Sequence, residues 1–203
     1  MKKLPLLIAL CLFGFIIGSH AQVSARLGVK AGPNFANVDA KSSFGEKYNS
    51  RTGFHAGAFA TFKFTKLAVQ PELIFSKQGS TIDFNGEDLD RNYSYFNIPV
   101  MLKLYLLGGL NLQVGPQFGF LASAKGDVLD GLGNKSEEDI KDELKGSEIS
   151  LGLGAGWDLP FGLTVDARYN LGLSDINDNE ASPEAKNQVF QVSIGYRLIQ
   201  LGK

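Results

Sequence analysis

The sequence predicts an all-β protein: an eight-stranded antiparallel up-and-down transmembrane β-barrel behind a cleaved leader. Three observations carry this. Segments recur with one uniformly apolar face and one mixed face. Tight turns alternate with long polar links. Glycine and phenylalanine are abundant, at 24 and 15 residues, and helix signals are few.

The leader comes first. Lys2 and Lys3 form a positive start, Leu4 to Ile17 an apolar stretch, and Ser19-His20-Ala21 a small-residue cleavage site ahead of Gln22. That is the pattern of a secretory signal peptide over 1–21, and its apolar stretch is short for a spanning helix. The single cysteine, Cys11, lies inside it, preceded by Leu10 where a lipoprotein signal needs a small residue. The remaining 22–203 is read as one domain, a barrel without thiol, disulfide or Cys-based metal chemistry. Losing Lys2 and Lys3 takes the formal charge from −1 to −3. That excludes a strongly basic surface for nucleic acid.

The strands follow in order. In the first, Leu27, Val29 and Ala31 oppose Arg26, Gly28, Lys30 and Asn34. The second sets Phe54, Ala56, Ala58, Ala60, Phe62 and Phe64 against His55, Gly57, Thr61 and Lys63. In the third, Leu67, Val69, Leu73 and Phe75 oppose Gln70, Glu72 and Ser76. The fourth, YFNIPVMLKLYL, puts Phe96, Ile98, Val100, Leu102 and Leu104 on one face. Its other face holds Tyr95, Asn97, Pro99, Met101, Lys103 and Tyr105. The fifth sets Leu112, Val114, Phe118 and Phe120 against Asn111, Gln113, Gln117 and Ser123. The sixth alternates Ile149, Leu151, Leu153, Ala155 and Trp157 with Ser150, Gly152, Gly154, Gly156 and Asp158. The seventh sets Leu163, Val165, Ala167, Tyr169 and Leu171 against Thr164, Asp166, Arg168 and Asn170. The eighth sets Phe190, Val192, Ile194, Tyr196 and Leu198 against Gln191, Ser193, Gly195 and Arg197.

Such period-two segments face two different solvents. A soluble sandwich also alternates, but it buries the apolar face and exposes the polar one. Small and amide side chains crowd the polar faces here, as the inside of a narrow closed barrel requires. The strands are long enough to cross a bilayer when tilted. Thr65-Lys66, Leu107-Gly108-Gly109 and Pro160-Phe161-Gly162 are tight turns, alternating with polar links at 35–52, 80–91, 126–146 and 174–187. Short turns at one end and long loops at the other are the outer-membrane pattern, and an even strand count puts both termini on the periplasmic side.

Lys103 is then expected to point into the lumen, where its charge needs compensation. Glu72 on the neighbouring strand is the expected partner, with Asp166 second. Lys30, Glu72, Lys103, Asp166 and Arg168 make the expected lumen charge network. Pro33, Pro71, Pro99 and Pro116 fall inside strands of a barrel that has no edge, so each predicts a bulge or a local break in pairing. Phe54, Phe75, Phe96, Phe120 and Phe190 are placed near the long-loop ends, and Phe62, Phe64, Trp157 and Tyr196 near the short-turn ends. Two girdles match two membrane interfaces.

The segments LAVQPELIFSKQG, YFNIPVMLKLYL, GPQFGFLASAK and DARYNLGLSDI resemble the PorT-like, porin-family outer-membrane β-barrel domain of the Bacteroidetes type. The resemblance covers nearly all of 22–203. It implies an integral outer-membrane protein, and one relative's part in protein secretion makes transport or secretion the alternative function. The chain departs from the usual outer-membrane ending: after Leu198 it continues to Lys203 with no terminal aromatic.

No catalytic arrangement stands out. His55 is the only histidine after the leader, and no Ser, His and Asp share a telling spacing. Asp175-Ile176-Asn177-Asp178-Asn179 opens like a calcium loop, but Glu180 and Lys186 stand where glycine and an acid are needed. Ser136-Glu137-Glu138-Asp139 reads as a capping box, predicting a short helix to about Lys145. The link 126–146 holds seven acids against three lysines.

The reading is a non-enzymatic barrel with no cofactor and no metal ligands. Its role is structural or interactive, through the long loops. Expected partners are outer-membrane lipids including lipopolysaccharide, the barrel-assembly machinery during insertion, and an envelope protein. Inward Arg26, Lys30, Lys63, Glu72, Gln113, Gln117, Arg168 and Arg197 disfavour a solute pore, because eight strands leave an interior that side chains fill.

Overall fold

A computed structural model describes residues 23–40, 47–84, 87–129, 135–176 and 185–202. The leader expected over 1–21 lies outside the described residues. Nine strands are present: β1 (Val23–Ala40), β2 (Lys47–Phe64), β3 (Leu67–Phe84), β4 (Glu87–Tyr105), β5 (Leu110–Leu129), β6 (Lys135–Asp139), β7 (Ser147–Asp158), β8 (Leu163–Gly172) and β9 (Ala185–Leu201). All pairings are antiparallel. Eight strands close a ring in the order β1-β2-β3-β4-β5-β7-β8-β9, with β9 returning to β1, and β6 hangs on β5.

The alternation in the sequence becomes two walls. On β4, Leu102 and Leu104 are 46% and 42% exposed, whereas Met101 and Lys103 are 0% and 1% exposed. The outer wall shows leucine, valine, isoleucine and phenylalanine around its whole circumference. A water-facing surface rarely carries an apolar patch above a few hundred Å². Hydrocarbon is the solvent in which this wall is stable, and ring closure leaves no unpaired edge within it.

The turns fall where expected. Thr65 takes φ 54° in the two-residue turn between β2 and β3. A short 3₁₀ turn over Leu107–Gly109 joins β4 to β5, with Gly108 at φ 65° and Gly109 at φ 87°. Positive φ suits glycine, which has no Cβ to clash. At the other end the strands outrun the expected loops. β1 to β5 have 18 to 20 residues each, where about 9–11 suffice to cross a bilayer. Much of 35–52 and 80–91 is therefore paired strand, because extending a hairpin satisfies backbone groups that a loop would leave to water.

The prolines interrupt pairing without shifting it. Beside Pro33, partners run from Ala31↔Ile194 to Asn34↔Gln191. Beside Pro71 they run from Phe59↔Glu72 to Phe62↔Val69. Beside Pro99 they run from Pro71↔Val100 to Ile74↔Asn97, and beside Pro116 from Pro99↔Gln117 to Leu102↔Val114. Each ladder skips and resumes in the same register, since a missing N–H removes a bond without adding a residue. The local break is found and the bulge is not. Register shifts lie elsewhere, at Leu27/Gly28, Ser50/Phe54 and Ser94/Tyr95.

The aromatic girdle at the long-link end contains tilted and edge-on ring pairs. Phe54 and Phe75 centroids lie 6.3 Å apart, Phe75 and Phe96 5.5 Å, and Phe35 and Phe190 6.2 Å. At the other end Trp157 donates Nε1–H to the Gly108 carbonyl at 2.9 Å, tying the outer wall to a turn.

Two local expectations are corrected. The segment 136–145 is not a helix. Lys135–Asp139 pairs with Leu129–Lys125 of β5, and a 3₁₀ turn follows over Lys141–Glu143. β7 pairs with β5 only up to Phe120↔Ser147, so the projecting end of β5 offers unpaired backbone to the returning chain. Lys125 and Glu137 close the pair at 2.8 Å. Ser123 does not line the interior. The shift at Ser94/Tyr95 breaks the alternation beyond Leu121 and turns Ala124 inward instead, at 0% exposure.

Candidate functional site

The inward faces meet in a closed polar lumen. Its centre is Glu72 on β3. Arg168 of β8 donates Nη2–H to Glu72 Oε1 at 2.7 Å and Nη1–H to Oε2 at 3.0 Å. Gln70 donates to Oε1 at 2.8 Å, and Lys30 of β1 reaches Oε2 at 3.5 Å. Lys30 also lies 3.4 Å from Asp166 Oδ2, and Gln113 donates to Asp166 Oδ1. A two-pronged guanidinium–carboxylate pair with its remaining lone pairs engaged is the arrangement that makes buried charge tolerable.

Lys103 joins this cluster by a different partner from the one expected. Its Nζ lies 3.3 Å from Asp158 Oδ1, 3.9 Å from Asp166 Oδ1 and 3.1 Å from Gln70 Oε1. Glu72 is taken by Arg168 and Lys30. The reason is register. Lys103 stands opposite Ala68, and Glu72 is four residues farther along β3, a rise of about 13 Å. Asp158 also accepts from Tyr105 Oη at 2.8 Å and lies 3.7 Å from Arg26. Lys63 sits over the Tyr105 ring, 4.1 Å from its centroid.

Above the ion pairs His55 sits among uncharged partners. His55 Nδ1 lies 2.7 Å from Asn34 Oδ1 and Nε2 lies 2.8 Å from Ser193 Oγ. This brings a serine to a histidine, which the linear spacing did not announce. The third group is an amide, not a carboxylate, and Asn34, His55 and Ser193 are 0%, 1% and 3% exposed. The Asn34 amide orients the ring, but the Ser193 hydroxyl is buried, without the access to substrate that nucleophilic catalysis needs. Among the described residues no group of three His, Cys, Asp or Glu side chains could hold a metal ion.

An apolar cap closes the long-link end. Tyr93, Tyr95, Leu121, Ala124, Ile140, Ile176 and Ala185 form one buried cluster, with Leu144 against it. Backbone bonds Ile140 N–H to Ala124 O at 3.1 Å, Lys145 N–H to Ile176 O at 2.8 Å and Ile176 N–H to Ala185 O at 2.9 Å stitch it together. Ile140 and Ile176 come from links expected to be polar. Isolated isoleucines, each preceded by an aspartate, were the available signal. Glu148 lies beneath the cap at 6% exposure, accepting from Asn187 Nδ2 at 2.6 Å.

Inward side chains also escaped the sequence reading, Phe59 and Ile74 among them. Phe59 and Ile74 are 5% and 3% exposed. Both sit in phase with polar lumen residues, Phe59 between Gly57 and Thr61 and Ile74 between Glu72 and Ser76. Strict alternation would have found them. Phe59 also explains Gly28, its partner on β1, where an added Cβ would come within 2.5 Å of the phenyl ring.

Comparison with known proteins agrees with this geometry. The sequence model of a family described as "Outer membrane protein beta-barrel domain" matches residues 20–178. Neisserial surface protein A is similar in structure at 13% identity, with a TM-score of 0.52, over 86% of this chain and 99% of that one. Ail, the attachment invasion locus protein of Yersinia pestis, solved with the heparin analogue sucrose octasulfate, is similar at 14% identity. Its TM-score is 0.50, over 87% of this chain and 99% of that one. At such identities the likeness concerns the fold. No curated protein matches the sequence.

Proposed function

The chain belongs to the outer membrane protein beta-barrel domain family, and from that premise we propose a non-enzymatic integral protein acting through its extracellular rim and loops. Both termini face the periplasm in this reading. The observation that carries it is the filled lumen: ion pairs at its centre and an apolar cap at its end leave the interior no role in passage. The rim is then the surface available for interaction. The PorT-like kinship belongs to the same proposal. So do the expected partners: outer-membrane lipids including lipopolysaccharide, the assembly machinery and an envelope protein.

Ail is solved with a polysulfated sugar. Here the link 126–146 carries seven acids against three lysines, so like charge argues against a polyanion at that loop.

Reconstituted into planar bilayers, the barrel is expected to conduct weakly and briefly. Large stable currents, or rapid sugar flux in vesicles, would overturn the filled-lumen reading. Pull-down of the intact protein from solubilised outer membranes tests the role itself. Envelope or lipid partners at the rim agree with it. Stoichiometric secretion components would establish the transport or secretion alternative.

A further inference from the structure

The outer wall carries a cleft of mixed polar and apolar lining beside the phenylalanine row. It opens where the β2–β3 ladder shifts register between Ser50 and Phe54. Its volume is about 150 Å³, and Arg51, Thr52, Lys77, Asn92 and Ser94 are among its lining residues. Register and alternation put Thr52, Lys77, Asn92 and Ser94 on the outer face, Lys77 paired with Phe54 on one side and Ser94 on the other.

Among the described residues none of these four side chains makes a hydrogen bond or ion pair. Lys77 is exposed, and no acid among the described residues pairs with it. Arg51 at the cleft margin is paired with Asp90 at 2.8 Å, so its charge is already compensated and Lys77 is the cation the cleft offers. Immediately beneath runs the phenylalanine row, Phe54, Phe75 and Phe96. Phe75 lies two residues below Lys77, about 7 Å along the strand.

We propose that this cleft binds the phosphate of an outer-leaflet lipid. The Lys77 ammonium supplies the charge, the Thr52 and Ser94 hydroxyls and the Asn92 amide supply donors, and the phenylalanine row packs the acyl chains. Anions are held by a cation with convergent donors, and aromatic rings sit at the headgroup boundary. The adjoining apolar row selects a phosphorylated lipid over free phosphate, which would gain nothing from it. The inference rests on the reading that the long-link end faces outward.

The test uses the full mature protein in detergent micelles, titrated with a bis-phosphorylated lipid A and with the same glycolipid stripped of phosphate, bound lipid being counted by native mass spectrometry. The phosphorylated form should bind at least about fivefold more tightly, the factor equivalent to ~1 kcal/mol per basic residue at an anionic surface. Lys77→Gln should abolish that preference, and Lys77→Arg should keep it. The variant changes an exposed side chain, and heat-modifiable gel mobility confirms that each barrel is folded. Equal binding of both glycolipids, an undiminished preference in Lys77→Gln, or full competition by equimolar inorganic phosphate would overturn the site. Orientation is read separately, by an impermeant thiol reagent on whole cells carrying Ser136→Cys or Leu107→Cys. Labelling at position 136 alone supports the outer-leaflet assignment. Labelling at 107 alone would overturn it, even if the phosphate preference held.

Discussion

Replacing Arg168 with methionine is expected to destabilise the barrel by about 3–5 kcal/mol, the cost of removing one side of a buried ion pair. Arg168 is 3% exposed and makes two hydrogen bonds to Glu72, one to each oxygen. Without it, Glu72 keeps Gln70 and the longer contact to Lys30, too little to offset desolvation of a carboxylate. Gln113 Oε1 also loses the donor it has at 3.1 Å. Glu72→Gln in the same background should restore much of the loss, because a neutral amide needs no counter-charge. Urea unfolding in lipid vesicles measures the cycle. A single variant as stable as the wild type would mean that the pair contributes nothing net, as happens when desolvation cancels attraction.

Lys103→Met carries the second large effect, a loss of about 3 kcal/mol by the same mechanism. Its partner is the sharper question. A double-mutant cycle with Asp158→Asn should show coupling, and one with Glu72→Gln should show much less, since neighbours couple and separated groups add. The contact at 3.3 Å to Asp158 predicts that order. Were Lys103 to face hydrocarbon instead, the charge would cost about 2–4 kcal/mol at the midplane, and Lys103→Met would stabilise. That sign would reverse the assignment of the strand's faces. Stronger coupling to Glu72 than to Asp158 would reverse the register.

The contrast between these two experiments marks what the sequence made legible. Which way Lys103 points follows from parity alone: leucines at 102 and 104 commit the odd positions of β4 to the interior. Which acid it meets does not. That depends on how far neighbouring strands slide, and tilt carries a side chain several residues past its sequence-level neighbour. Asp158 stood on an inward face throughout, at the far end of β7, and only the pairing of β4, β5 and β7 brings it to Lys103. The capping-box pattern at 136–139 failed for a related reason. Local preference for a helix start competed with a projecting strand edge on β5, and pairing won. The prolines were legible because a missing donor is a local fact. The apolar cap was not, because Ile140 and Ile176 are 36 residues apart and nothing local announces their contact.

The seam between β1 and β9 has a consequence for how the molecule comes into being. Ala31 pairs with Ile194, so the ring closes only when the last strand has arrived. The central cluster needs the same event: Lys30 of β1 meets Glu72 of β3 and Asp166 of β8. Until then the inward faces hold charges whose partners are absent, and no part of them can enter hydrocarbon alone. Strands cannot therefore be laid into the bilayer one at a time. Contacts between residues so distant along the chain also form slowly, since a long loop must close before they reward it. Docking of the C-terminal strand against β1 is thus the step that completes both the ring and the ion-pair cluster.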